Sequence, residues 1–129
     1  MTSHVLTIAL TTYAVIWAGT ATDYRRRHFY AQAKERAFGF GMSYAFEESA
    51  ADLLKLLHQP TTEAVITFIQ TLEQRCVHVK QFRSRRLDEL HRMAYAFGAS
   101  EAYRMCAEHL IEMLVEVMLA TRMTIHYPC

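Results

Sequence analysis

The sequence predicts an all-α fold: a small antiparallel bundle of about four helices, two long and two short, assembled as an oligomer. Three observations carry this. Glycine (4) and proline (2) are too scarce in 129 residues to supply the turns of an all-β chain. Apolar residues make up 52% of the chain and recur at helical spacing. Three short stretches rich in helix-breaking residues, GFGMS (39–43), QPTT (59–62) and GAS (98–100), separate the helical runs. The helices are therefore expected at residues 4–38, 43–58, 62–97 and 100–123, followed by a short extended tail, within one domain spanning 1–129.

The first helix opens with VLTIALTTYAVIWAG, residues 5–19, and closes with the basic-aromatic run DYRRRHFYAQAKER. At ~1.5 Å per residue it would reach ~50 Å, about twice the second helix, so its N-terminal half outruns its own partners. Residues 1–22 are accordingly read as an apolar segment in an oligomer interface, with Val5, Ile8, Leu10, Val15, Ile16 and Trp17 as the contact residues. Two other fates are a fold-back at Gly19 and entry into a membrane. Arg25, Arg26 and Arg27 suit the second of these. Thr7, Thr11, Thr12 and Thr20 dilute the stretch below the ~20 apolar residues that a span wants, so burial against protein is preferred. No basic residues precede the apolar run, which argues against a signal peptide.

Ser43 is expected to cap the second helix, and Thr61 or Thr62 the third, with Glu63 in its first turn. The third helix carries a seam of Val65, Ile69, Leu72, Cys76 and Val79. Continued strictly, that seam would bury Arg83 and Arg86. A register shift through Phe82 to Leu90, Met93 and Phe97, with a kink near 82–87, avoids this. Gly98 suits the end of that helix, and Ser100 with Glu101 the start of the fourth. The fourth has a wide apolar arc (Tyr103, Cys106, Ala107, Leu110, Met113, Leu114, Val117, Met118) and a narrow acidic face of Glu101, Glu108, Glu112 and Glu116. Such a helix is central or shared with a partner.

A net charge of +1 gives no global field for nucleic acid or membrane, so any such contact must be local. Two clusters qualify as partner- or anion-binding: Tyr24, Arg25, Arg26, Arg27, Phe29 and Tyr30, and Arg83, Arg85 and Arg86. The economical reading pairs them with acidic neighbours. Arg85 with Glu89 and Asp88 with Arg92 are i,i+4 partners, Lys34 and Arg36 would meet Glu47 and Glu48, and a turn at 98–99 would set the third-helix arginines against the fourth-helix glutamates. The same turn would bring His91, Cys106 and His109 together as candidate metal ligands. Their spacing is generic, so no metal and no cofactor are expected. Cys76, Cys106 and Cys129, odd in number and without CxxC, read as reduced thiols of a cytoplasmic protein.

Arg86 and His91 form R-x4-H, which resembles the R-x4–6-H motif of HEPN-type all-helical ribonucleases. The resemblance covers two residues and implies an arginine and a histidine acting on a ribose 2′-hydroxyl and its phosphate. The position after the arginine, usually polar in that family, is Leu87 here. No Gly-rich phosphate loop, Ser/His/Asp arrangement or di-iron pattern accompanies it. The leading expectation is a non-enzymatic helical interaction or accessory protein: an adaptor, an inhibitor, or a small subunit of a larger complex, including one that handles nucleic acid. It would dock by an apolar helix and an arginine-aromatic patch, as a homo-oligomer or on another protein. The alternatives are a subunit gripping a nucleic-acid backbone, a metal-independent ribonuclease, and a membrane-anchored protein.

Overall fold

A computed structural model describes residues 2–80 and 90–126, with side chains over 4–79 and 90–120. These residues form four α-helices and one 3-10 turn: α1 (Thr2–His28), α2 (Ala33–Lys55), the turn Leu56–His58, α3 (Thr62–Lys80) and α4 (Leu90–His126). Four helices are as expected, but their lengths are not, since α2 with 23 residues is nearly as long as α1. The two longest are α1 with 27 residues and α4 with 37, not the first and third.

The chain turns at 29–32, not at GFGMS. Ala31 N donates to His28 O at 3.2 Å, and extended Gln32 opens α2. Neither glycine nor proline marks this turn. The signal present is electrostatic: Arg25, Arg26, Arg27 and His28 fill the last turn of α1, where positive charge complements the helix dipole. Glu35 sits in the first turn of α2, where negative charge does the same.

GFGMS and GAS lie inside helices because their small residues serve packing. A Cβ on Gly41 would fall 2.0 Å from the backbone oxygen of Tyr95, and one on Gly98 would fall 2.1 Å from that of Phe38. The two glycines are reciprocal, so α2 and α4 cross backbone against backbone. The crossing runs on through Ala45 and Ser49 of α2 and Ala102 and Cys106 of α4, all small and buried at four-residue spacing. Segment 38–42 faces 95–99 and Ser49 meets Cys106, so these two helices run parallel. Helices adjacent in sequence run antiparallel. Ser43 donates to Ala21 O at 2.7 Å between α1 and α2, and Ser100 donates to Cys76 O at 3.1 Å between α3 and α4. The two serines expected to cap helices therefore tie helices together. α1 and α3 flank the α2–α4 pair and pack chiefly on it.

The third element begins where the sequence put it, but its expected end at 97 is wrong: α3 is Thr62–Lys80, and residues 90–97 belong to α4. Ala64 N donates to Thr61 Oγ1 at 3.1 Å, which caps α3. Val65, Ile69 and Leu72 are buried, while Cys76 and Val79 are half-buried against the same core. The kink expected near 82–87 lies outside the described residues. α4 is continuous through Gly98 and extends to His126, past the residue 123 expected for its end.

The same substitution at three glycines should have opposite effects. Gly41→Ala and Gly98→Ala push a methyl into backbone and should each lower unfolding free energy by about 1–3 kcal/mol. Around Gly19 a Cβ meets nothing within 4 Å, so Gly19→Ala should add roughly 0.5–1 kcal/mol through helix propensity. Urea midpoints of the three variants check this.

Candidate functional site

The inward stripe of α1 is Leu6, Leu10, Ala14, Trp17 and Ala21, all buried in the chain's own core. Trp17 Nε1 donates to Nδ1 of His109 at 3.1 Å, and the Tyr13 ring stacks on the same imidazole at 5.9 Å. Leu10 and Trp17, expected at an interface, thus belong to the internal core, because the middle of α4 reaches α1. The remaining expected contacts point the other way. Val5, Ile8, Val15 and Ile16 are 44%, 56%, 66% and 48% exposed. With exposed Thr12 and Gly19 they form one outward strip along α1.

The arginine-aromatic cluster continues that strip and divides in two. Arg25 is committed to Glu47 at 2.7 Å, an exposed pair worth ~0–1 kcal/mol. Tyr24 is half-buried, its ring stacked on Phe46 at 6.0 Å and on His28 at 5.8 Å. Arg26 and Arg27 are exposed, ~100° apart around the helix. Phe29 and Tyr30 are 56% and 93% exposed, edge to face at 5.0 Å. Glu47 and Glu48 do not meet Lys34 and Arg36, because moving the turn to 29–32 shifts the register. Arg25 takes Glu47, and Arg75 of α3 lies 3.1 Å from Glu48 and 2.9 Å from Asp52. Arg83, Arg85 and Arg86 lie outside the described residues, and with them the arginine of the R-x4-H spacing.

His91, Cys106 and His109 do not converge. They share one continuous helix, which puts ~22 Å between the first and the second. His109 is held by Trp17, and Cys106 is buried beside Ser49. Burial pushes the Cys106 thiol up to about 12, so it is protonated and inert near neutral pH. Among the described residues no cluster of three metal-ligating side chains forms.

One site was not foreseen. A cleft of about 780 Å³ opens where the C-terminal end of α3 meets the side of the α2–α4 pair. Phe40 and Tyr44 of α2, Tyr95 and Tyr103 of α4, and Val79 of α3 line it. Tyr103 OH donates to Glu48 Oε1 at 3.0 Å, and the Arg75 guanidinium sits 5.9 Å from the Tyr103 ring centroid. A hydrogen bond to Glu48 raises the Tyr44 hydroxyl above its usual range, and burial does the same to Tyr95 and Tyr103. Positions 33, 37, 40 and 44 share a helix face only when α2 begins near Ala33, so a boundary set at residue 43 hid the cleft.

These groups fix an alkaline limit. Folded Tyr44, Tyr95, Tyr103 and Cys106 all hold their protons more tightly than the unfolded chain does. Their contribution to stability is complete below the unfolded values, 9.0 for the thiol and 10.0 for the phenols, and is lost as pH rises through the folded ones. Urea midpoints should be flat from neutral pH to about pH 9 and then fall. Peptide mapping after iodoacetamide treatment at pH 8 should find Cys106 unmodified in the folded chain and modified in urea.

The chain matches no family model, no curated protein and no solved structure, so any function must be argued from its own residues.

Proposed function

We propose that this chain is a non-enzymatic helical interaction protein that docks through the outward strip of α1 onto a complementary apolar helix, in the first instance that of a second copy. The carrying observation is the exposure of Val5, Ile8, Val15 and Ile16 in a row, on a helix whose opposite face is fully buried. Leaving such a strip in water costs about 25 cal/mol per Å², which a facing apolar strip recovers. A second copy supplies the same strip. Antiparallel pairing keeps the two Arg25–Arg26–Arg27 clusters at opposite ends, whereas parallel pairing would set like charges together. Arg26, Arg27, Phe29 and Tyr30 would then form a charged and aromatic rim, as interfaces favour. The free thiols of Cys76 and Cys106 fit a cytoplasmic setting.

A membrane surface is the second reading, favoured by one observation: the segment His4–His28 is long and apolar enough to cross a bilayer. Its inward face is sealed against α2 and α4, so lipid would wet only the outward strip, and the helix would lie on the membrane surface.

Sedimentation velocity across the micromolar range should show concentration-dependent self-association. Ile8→Lys/Val15→Lys should abolish it with the melting temperature unchanged, because both side chains are exposed in the isolated fold. A wild-type monomer that floats with anionic vesicles would support the membrane reading. A monomer that leaves vesicles untouched would overturn both.

A further inference from the structure

The cleft between α2, α3 and α4 is independent of the α1 strip, and its chemistry is specific. Its walls are mostly apolar although three tyrosines line it. The hydroxyls of Tyr44 and Tyr103 are both engaged by Glu48 in an adjoining recess, which leaves their rings to face the cleft. Alanines at positions 37, 96 and 99 keep the floor open, and the Gly41–Gly98 crossing holds the two long walls at fixed separation. Volume and lining match those of small-molecule sites, which run to ~300–1,000 Å³ with mostly apolar walls.

The charges are one-sided. Arg36 and Arg92 line the cleft from its two long walls, together with His78 and His91, and among the described residues no carboxylate lines it. Both arginines are exposed, and neither is in an ion pair with a described residue. Arg25, Arg75 and Arg104, by contrast, are each engaged by carboxylates. A mostly apolar aromatic cleft edged by two guanidiniums that have no carboxylate partner among the described residues is complementary to a molecule with an apolar body and a single anionic head.

We infer that this cleft binds a small amphipathic carboxylate, its aliphatic body between Phe40, Tyr95 and Tyr103 and its carboxylate between Arg36 and Arg92. A neutral ligand of the same shape would leave both guanidiniums unused. A free carboxylate without the body would gain only exposed, salt-screened contacts.

Isothermal titration of the full chain with dodecanoate, 1-dodecanol and acetate tests this. Dodecanoate should bind one per chain, dodecanol about tenfold more weakly, and acetate not measurably. Arg36→Gln/Arg92→Gln changes only exposed side chains and should weaken dodecanoate by about tenfold while leaving dodecanol unchanged. Ala96→Trp should block both ligands, with circular dichroism confirming that the variant is folded. Ile8→Lys/Val15→Lys should bind dodecanoate like the wild type, which separates this site from the outward strip of α1. No binding, equal affinity for acid and alcohol, or loss of binding in the α1 variant would each overturn the inference.

Discussion

The side-chain-free crossing of α2 and α4 is the constraint on which the rest of this bundle depends. In an up-down-up-down arrangement of four helices, the second and fourth are a diagonal pair and are usually held apart by core side chains. Here Gly41 and Gly98 remove those side chains, and each glycine lies against the backbone of the opposite helix. The diagonal collapses into the closest contact of the fold. α1 and α3 are displaced to its two flanks, and each buries one face against the pair.

Two surfaces follow from that collapse. A flanking helix has one buried face and one open face, and in α1 the open face is also apolar. Among the described residues no further helix covers it, which is why an interaction role is the reading that the outward strip of α1 supports. On the other flank, α3 meets the pair near its own C-terminal end, where the small residues of α2 and α4 leave room. That room is the tyrosine-lined cleft. The polar cluster of Glu48, Asp52, Arg75 and Tyr103 joins three helices beside it. Within that cluster Glu48 engages the hydroxyls of Tyr44 and Tyr103, so the rings of these two tyrosines are what they present to the cleft.

The sequence was legible where local chemistry and tertiary role agree. The Thr61 cap, the α3 seam through Val65, Ile69 and Leu72, and the apolar arc of α4 through Leu114 are all where periodicity put them. It misled at Gly39, Gly41, Gly98 and Ser100, which read as breaks. A glycine between helical runs looks the same whether it ends a helix or lets another backbone approach, since both uses exploit the missing Cβ. The turn at 29–32 shows the converse. It contains no breaker, and its trace is the run of four basic residues that closes α1, followed by Glu35 at the start of α2. Once both boundaries are misplaced, every cross-helix register built on them fails. His91 and Cys106 then seem to face each other, although they are four turns apart on one helix.

Composition and periodicity by themselves determined that this chain is all-helical, that about four helices pack in a bundle, and that its first helix carries more apolar surface than its own partners absorb. These are properties of helix faces, which local sequence encodes. The tertiary structure alone decided which helices touch, that α2 and α4 pair in parallel, that Leu10 and Trp17 turn inward while Ile8 and Val15 turn out, and that a cleft opens beside Tyr103. Those outcomes depend on how closely two backbones approach, and that distance is set by residues far apart in the chain acting together.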